Sequence, residues 1–284
     1  ERCGAFKRHP DGSAPAGDRL PGGDRQFPAL EYLYCASNQL ERLEIGRCPE
    51  LRDLNCEKNR LGELDLSGNP ALEQLYCRHN QLTRLDVAHN PELVFIETFD
   101  NQLTFFDPSP LQKLEFLHID YNKLTTLDMS QNPALKGNGF VAANNQLDSL
   151  VLPNIPDFVV EAGVFYEQNP REGYDRAEWY RDAGYTQKIG EEESLEAQGQ
   201  RVYARWVANP YTVFYQPNGG QGTMTPQPAR YDQDFFLSTH LFQRTGYTFA
   251  GLTTTRTGQG GRAFAERQQV PNRAGKHGSH HRTP

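Results

Sequence analysis

The sequence predicts a mainly β repeat protein, in which a solenoid is followed by smaller β modules. Two observations carry this prediction. From about Leu30 to Leu152 a pattern of leucines recurs every 21 residues, and a second pattern beyond Pro156 recurs after 73 residues. A fixed period of this size indicates stacked units, each too small to fold alone. In the first block the period is marked by asparagines, at Asn38, Asn59, Asn80, Asn101, Asn122 and Asn145.

One copy of the 21-residue unit reads Leu72-Glu-Gln-Leu75-Tyr-Cys77-Arg-His-Asn80-Gln-Leu82-Thr-Arg-Leu85-Asp-Val87-Ala-His-Asn90-Pro91. This pattern resembles the leucine-rich repeats of the short bacterial subclass. The resemblance implies that each unit gives a short strand around L-x-C, a turn closed by asparagine, and a second extended half around L-D-L. We expect the asparagine amides to satisfy backbone groups that the tight coil leaves unpaired.

Three of the five cysteines, Cys35, Cys56 and Cys77, occupy one column of the repeat. Neighbouring strands of a parallel ladder hold their Cβ atoms about 4.8 Å apart, whereas a disulfide needs about 3.8 Å. We therefore expect buried thiols rather than a disulfide, a metal site or a redox pair. Cys48 occupies the position of Asn69 in the next unit, and we expect it to be the more exposed thiol.

A second resemblance covers about Asp157 to Val270. Arg171-Glu-Gly173-Tyr174 matches Arg244-Thr-Gly246-Tyr247, and Tyr211-Thr-Val213-Phe-Tyr215 leads into Asn218-Gly219-Gly220, which favours a hairpin turn. The stretch resembles the Listeria–Bacteroides repeat, a small β-grasp-like module that follows leucine-rich repeats in internalin-type bacterial surface proteins. It departs from that family in having Leu252 where tryptophan is usual, and no apolar strand follows Val270.

These patterns divide the chain into five expected segments. They are a disordered or poorly specified lead-in at 1–27, a six-repeat solenoid at 28–156, a partial Listeria–Bacteroides-type repeat at 157–209, a second such repeat lacking its closing strand at 210–270, and a disordered tail at 271–284. The missing strand predicts an open sheet edge. Either the chain is cut short there or this copy of the repeat is degenerate. Because the chain opens on Glu1, we expect it to be part of a longer product.

Composition and motifs narrow the function. The net charge of -7 argues against a nucleic-acid partner, and no apolar stretch is long enough to span a membrane. The sequence contains no G-x-S-x-G, H-E-x-x-H, C-x-x-C or phosphate-binding loop. We therefore expect no enzyme activity, no cofactor and no metal. His277, His280 and His281 lie in the polar tail, where disorder is the simpler interpretation.

An acidic column stands in the second half of the repeats, at Glu44, Asp65, Asp86, Asp107 and Asp128. Stacked like charges about 4.8 Å apart repel one another, so some interaction should offset them. Calcium is one candidate, although a single file of carboxylates supplies few of the six to eight oxygens it prefers. Hydrogen bonds from turn N–H groups, with Arg42 and Arg84 nearby, are the other.

The positions beside the L-x-C strand should face away from the core on the concave side, because side chains alternate along a strand. They are rich in aromatic residues set in a polar field, which is typical of protein-recognition surfaces. Aromatic residues also suit β-structure for reasons unrelated to binding. The candidate ligand-binding residues are Tyr32, Tyr34, Tyr76, Arg78, Phe95, Glu97, Phe99, Phe116, His118 and Tyr121.

The resulting hypothesis is a non-enzymatic adhesion module of a bacterial secreted or surface-anchored protein. Its partner would be a protein, or a glycan, on a host or neighbouring cell, bound at the concave face. A footprint of about 400 Å², from strand spacings, is half the roughly 800 Å² per partner of a standard interface. Two alternatives stay open: a purely structural spacer, or an accessory region of a secreted hydrolase whose catalytic domain lies elsewhere.

Overall fold

The computed structural model describes residues 28–160, 171–190, 193–239 and 241–253, and the backbone of 263–264 and 269–270. The predicted lead-in, the tail and its histidines lie outside the described residues. The chain forms two compact units. Of the described residues, the first comprises 28–160, 171, 176–190 and 193–206, and the second comprises 172–175, 207–239, 241–253, 263–264 and 269–270.

The first unit is built on a parallel ladder that follows the 21-residue period. Its strands are short: β1 Tyr32–Tyr34, β2 Asp53–Asn55, β3 Gln74–Tyr76, β4 Phe95–Glu97, β5 Phe116–His118, β6 Thr126–Asp128, β7 Phe140–Val141 and β8 Ser149–Val151. Six of them form one sheet in the order β1-β2-β3-β4-β5-β7, and paired residues stand one period apart, as in Leu33 with Leu54. The predicted mainly β solenoid is confirmed.

The core of the solenoid is the inner face of this ladder. The central residue of each strand is buried, at Leu33, Leu54, Leu75, Ile96 and Leu117, whereas its two neighbours are half-buried or exposed. This alternation places one residue in three on the core.

The asparagine column closes each turn, as predicted. Asn80 accepts a hydrogen bond from the Leu61 N–H at 3.0 Å and donates to the Cys56 and Cys77 carbonyls at 3.1 Å each. Asn59 and Asn101 make the corresponding bonds in their own turns. Each amide therefore joins two successive repeats and satisfies backbone groups inside the coil.

The cysteine column is buried, and Cys35, Cys56 and Cys77 are thiols, as predicted. The prediction for Cys48 is wrong, because only 5% of this residue is exposed. Its column is an internal one: Asn69 is fully buried and donates to the carbonyls of Ile45 and Cys48 at 2.9 Å. The asparagines of this column are polar yet buried, and their side-chain N–H groups donate to backbone carbonyls.

The second halves of the repeats contain two strands among the described residues, β6 and β8, which pair in parallel. In the earlier copies the L-D-L residues form no strand ladder, and a turn follows them. In these turns the acidic side chains accept backbone hydrogen bonds two residues on, as Asp65 does from Ser67 N at 2.9 Å and Asp86 from Ala88 N at 3.0 Å. Hydrogen bonds from turn N–H groups, one of the two candidates, therefore support this column.

The two-residue insertion before Phe140 is absorbed by a 3-10 turn, Gly137–Gly139, without breaking the ladder. A side chain at Gly139 is excluded, because a Cβ there would lie 2.4 Å from the Phe116 ring and 2.7 Å from the Glu115 carbonyl oxygen. The ladder therefore continues into β7, and the asparagine column continues at Asn145.

Four further strands follow the solenoid: β9 Asn154–Val160, β10 Tyr174–Tyr180, β11 Leu195–Gln198 and β12 Arg201–Ala208. β9 pairs antiparallel with β11, and β12 pairs antiparallel with β8 in a sheet ordered β10-β12-β8-β6. Phe158, Trp179, Ile189 and Val202 join the same hydrophobic core as the solenoid leucines. The solenoid core therefore extends past the last repeat.

The second unit contains three two-stranded sheets. Its strands are β13 Pro210–Val213, β14 Gln227–Arg230, β15 Phe235–Phe236, β16 Leu252–Thr253, β17 Ala263–Phe264 and β18 Gln269–Val270. They pair antiparallel as β13 with β14, β15 with β18, and β16 with β17. Asn218 and Gly219 both adopt positive φ, at 42° and 85°, which is the turn chemistry that the sequence indicates here. Among the described residues, no helix has the length and apolar character needed to cross a membrane.

Candidate functional site

The outward side of β1–β5, with the residues just after each strand, is called here the ladder face. The predicted binding residues lie on it. Tyr32 and Tyr34 on β1 are exposed, at 52% and 39%, while the aromatic side chains on β3, β4 and β5 are half-buried. Since the opposite side of each strand is in the core, the short strands can present only these positions to a partner.

An aromatic row crosses the middle of the ladder face. The ring centroids of Tyr76 and Phe95 lie 5.0 Å apart, and those of Phe95 and Phe116 lie 5.6 Å apart. His118 approaches Phe95 at 6.4 Å, and the Lys136 ammonium lies 5.3 Å from the Phe116 centroid. These distances are those of favourable aromatic and cation–π pairs, so the row is held in place before any partner arrives.

A charged cluster lies beside the aromatic row and is centred on Arg78. Its guanidinium bonds Glu57 at 2.5 Å, lies 2.8 Å from a Glu97 carboxylate oxygen, and sits 5.3 Å from the Phe99 ring centroid. The hydrogen bond to Glu57 is the main reason that the pKa of Arg78 is raised. His79 contacts Phe99 edge to face at 5.1 Å. The structure thus brings Arg78, Glu97 and Phe99 together, as the repeat period indicates.

At the β1 end of the ladder face, Asp53 lies among tyrosines. The Tyr34 hydroxyl donates to Asp53 Oδ2 at 2.9 Å. Burial, and then the bond to Asp53, raises the pKa of Tyr34 to about 12, so this hydroxyl stays protonated as a donor. Burial also raises the pKa of the Asp53 carboxyl, although the Tyr34 bond acts in the opposite direction.

Tyr121 is set differently from the other candidates. It belongs to a column that follows each strand and has left-handed backbone, with φ from 50° to 55°: Ser37, Lys58, His79, Asp100 and Tyr121. Positive φ is uncommon for a residue other than glycine. This column therefore forms the turn at the edge of the ladder face rather than part of its strands, and 36% of Tyr121 is exposed there.

Sequence reasoning did not select three acidic residues of this face, Asp53, Glu57 and Asp120. Burial raises the pKa of Asp120, which indicates a partly desolvated carboxylate. Their columns were visible in the sequence, but nothing in a column shows which carboxylates are buried or paired. Among the described residues, no group of three or more histidine, cysteine and acidic side chains is placed to hold a metal ion.

Comparison with known proteins identifies the second unit most directly. Residues 211–273 match the model of the Listeria–Bacteroides repeat domain. A curated protein of Evansella cellulosilytica is 33% identical over 94 residues, which are 32% of this chain and 14% of that protein. The chain therefore spans about one seventh of the length of this relative.

Three solved structures are similar to about half of the chain. The functional domain of InlJ from Listeria monocytogenes, described as including a cysteine ladder, is 28% identical with a TM-score of 0.40, over 50% of this chain and 34% of that one. A leucine-rich-repeat protein of Leptospira interrogans is 25% identical with a TM-score of 0.41, over 52% of this chain and 38% of that one. YopM from Yersinia enterocolitica is 28% identical with a TM-score of 0.40, over 49% of this chain and 28% of that one. The chain covers about a third of each of these structures.

The class of protein follows from the chain's own features. The first unit is a leucine-rich-repeat solenoid with a 21-residue period, and the second carries a Listeria–Bacteroides repeat. Together they give the chain the internalin-like architecture that the sequence indicates. This combination suggests a surface or protein-interaction module.

Proposed function

We propose that the chain is a non-enzymatic adhesion module of a bacterial surface or secreted protein, and that the concave ladder face binds a partner protein. The aromatic row of Tyr76, Phe95 and Phe116 is the observation that carries this proposal. Cross-strand aromatic pairs add some stability to a sheet, and aromatic anchors ringed by polar groups also dominate the binding energy of protein interfaces.

The geometry of the row also favours binding over a role as a spacer. Its rings are half-buried and touch one another, so little side-chain entropy remains to be lost when a partner docks. The charged cluster around Arg78 lies next to the row and provides the polar surroundings that an interface needs. Small size limits the affinity, and display of many copies on a surface would compensate for it.

A binding screen with a triple variant tests the proposal. Immobilised chain is screened by surface plasmon resonance against purified cell-surface ectodomains and against a glycan array. We expect at least one ectodomain to bind, and Tyr76→Ser, Phe99→Ser and Phe116→Ser together to weaken it by tenfold or more, about 1.4 kcal/mol. A matched control replaces two exposed aromatics of the first unit that lie off the ladder face, Phe105 and Tyr185, with serine.

The outcomes separate the alternatives. Equal binding by the triple variant would refute the ladder-face assignment, and a hit confined to glycans would change the class of partner. An absence of any partner would favour the spacer. Circular dichroism and thermal unfolding of the triple variant confirm that the coil persists, since its three side chains lie outside the core.

A further inference from the structure

Asp53 lies on the ladder face between two strands that carry tyrosines. On β2 its backbone is paired with Tyr32 of β1 and with Gln74 of β3. The Tyr34 hydroxyl bonds its Oδ2, and the Tyr76 hydroxyl donates at 3.0 Å to Oε1 of Gln74, the residue paired with Asp53 on β3. The two strands that flank the carboxylate therefore carry three tyrosines, Tyr32 and Tyr34 on β1 and Tyr76 on β3.

One oxygen of this carboxylate lacks a partner. Asp53 Oδ1 is buried and receives no hydrogen bond from the described residues. A carboxylate can accept about four hydrogen bonds, and a buried acceptor left unsatisfied is costly. No lysine or arginine of the described residues lowers the pKa of Asp53, which burial raises. A cation able to donate a hydrogen bond would satisfy this oxygen and compensate the charge of the carboxylate at the same time.

The surroundings suit such a cation in two ways. Tyrosine faces attract cations, and Tyr32 and Tyr34 are exposed enough to rotate and admit a side chain. The ladder face is also acidic as a whole. Its carboxylates are Asp53, Glu57, Glu97, Asp100 and Asp120, against the two basic side chains Lys58 and Arg78. A positively charged group is thus attracted to the face at long range and bound at Asp53 at short range.

We infer that Asp53, with Tyr32, Tyr34 and Tyr76, forms a subsite for a lysine or arginine side chain of the bound protein. The inference rests on the proposed function, because the cation would be supplied by the partner. The unsatisfied Oδ1 sets a chemical requirement: the cation must carry an N–H donor. A quaternary ammonium keeps the cation–π attraction but has no proton to donate, so it should bind less well.

Small amines test the subsite without knowledge of the partner. The tyrosine ring signals of the whole chain are followed by 1H–13C NMR during titration with n-butylammonium, tetramethylammonium or neutral n-butanol. We expect n-butylammonium to shift the signals of Tyr32, Tyr34 and Tyr76 saturably at millimolar concentrations. Tetramethylammonium should bind more weakly, by about fivefold or more. Neutral n-butanol should leave these signals in place.

Asp53→Asn is the decisive variant. Its amide oxygen can still accept the Tyr34 hydrogen bond, so the local structure is kept while the charge is removed. We expect it to weaken n-butylammonium binding by about fivefold or more. Asp65→Asn, an exposed carboxylate off the ladder face, is the matched control and should bind like the unmodified chain.

Three results would overturn the inference: no saturable shift, equal binding of the two amines, or unchanged binding by Asp53→Asn. None of them bears on the screen with the aromatic triple variant, which tests the proposed function separately. Conversely, if protein binding survives the triple substitution while n-butylammonium still requires Asp53, the cation subsite stands and the proposed interface fails.

Discussion

Replacing Asn80 by alanine probes the element that joins one repeat to the next. The Asn80 side chain accepts from the Leu61 N–H and donates to the Cys56 and Cys77 carbonyls. Alanine keeps the backbone conformation within reach but removes all of these bonds at once. Because the position is buried, water cannot simply replace them.

The magnitude follows from what each former partner retains. The Cys56 carbonyl still receives Asn59 Nδ2 at 2.9 Å, and the Cys77 carbonyl still receives Asn101 Nδ2 at 3.1 Å. Only the Leu61 N–H loses its acceptor altogether. An orphaned buried N–H costs about 1–3 kcal/mol and each lost shared bond about 0.5–1.5 kcal/mol, so the variant should lose about 2–6 kcal/mol of stability.

Urea unfolding and amide hydrogen exchange measure this effect together. Repeat arrays unfold locally as well as globally, so the exchange rate of the Leu61 amide is the more direct readout. We expect its protection to fall more than that of amides two repeats away. Gln81→Ala, at the exposed neighbouring position, is the control and should change stability by less than about 0.5 kcal/mol.

The reasoning would be refuted if Asn80→Ala cost no more than Gln81→Ala, or if the Leu61 amide kept its protection. Either result would mean that another acceptor replaces the asparagine oxygen. A loss spread evenly over all repeats would instead show that the solenoid unfolds as one cooperative unit, without a local weak point at Leu61.

Three further predictions concern buried or paired side chains. Cys77→Ser should lower the free energy of unfolding, measured in urea, by about 1–3 kcal/mol, because a hydroxyl replaces a fully buried thiol. In the unmodified protein Cys77 should resist labelling by thiol reagents at pH 8, since burial raises its pKa to about 12. Asp65→Asn should make the melting temperature fall less steeply in acid than it does for the unmodified chain. Hydrogen bonds from Ser67 lower the pKa of Asp65, so the carboxylate stabilises the fold above about pH 4. This stabilisation is lost as pH falls through the pKa of Asp65 in the folded protein. Glu178→Gln should cost about 1–2 kcal/mol at neutral pH, because hydrogen bonds led by that of Arg205 lower the Glu178 pKa to about 2. This cost should shrink as pH falls below about 4 and disappear as pH passes below the folded value; an unchanged difference across that pH range would contradict the pairing.

The repeat period predicts the parts of the fold that depend on backbone geometry. Once Leu54 and Leu75 are placed one period apart in a parallel ladder, the buried face and the asparagine turns follow from sterics and hydrogen-bond satisfaction. The same logic explains the Cys35, Cys56 and Cys77 column, since each cysteine lies two residues after the buried central residue of its strand and so faces the same core. These features need no knowledge of side-chain rotamers, which is why the sequence predicts them well.

One sequence prediction is wrong because residue type is a poor guide to burial in a solenoid. Cys48 was expected to be exposed since asparagine occupies its column in later repeats, yet Asn69 and Asn90 are themselves fully buried and bonded to backbone carbonyls. These bonds cross from one repeat to the preceding one. A polar side chain can therefore lie in the interior when the backbone of the neighbouring repeat accepts its hydrogen bonds.

The ladder face differs because its contacts depend on how individual side chains turn. Both Tyr34 and Tyr76 point along the sheet toward the neighbouring position, and this choice of rotamer brings Tyr34 to Asp53 and Tyr76 to Phe95. A column written from the sequence contains the same residues but none of these pairings. It could show that the face is aromatic and polar, and it could not show that Asp53 carries an unsatisfied buried oxygen.

The same division explains why the proposed binding residues occupy positions that the period leaves free. A residue fixed by the repeat, such as Leu75 or Asn80, is committed to the core and cannot change without loss of stability. The flanking Tyr76 and Arg78 make contacts only with their neighbours on the face, so the solenoid tolerates many combinations there. For the proposed interface, preorganised rings and a paired guanidinium would lower the entropic cost of docking. A footprint smaller than a standard interface would then bind specifically when it is displayed in many copies.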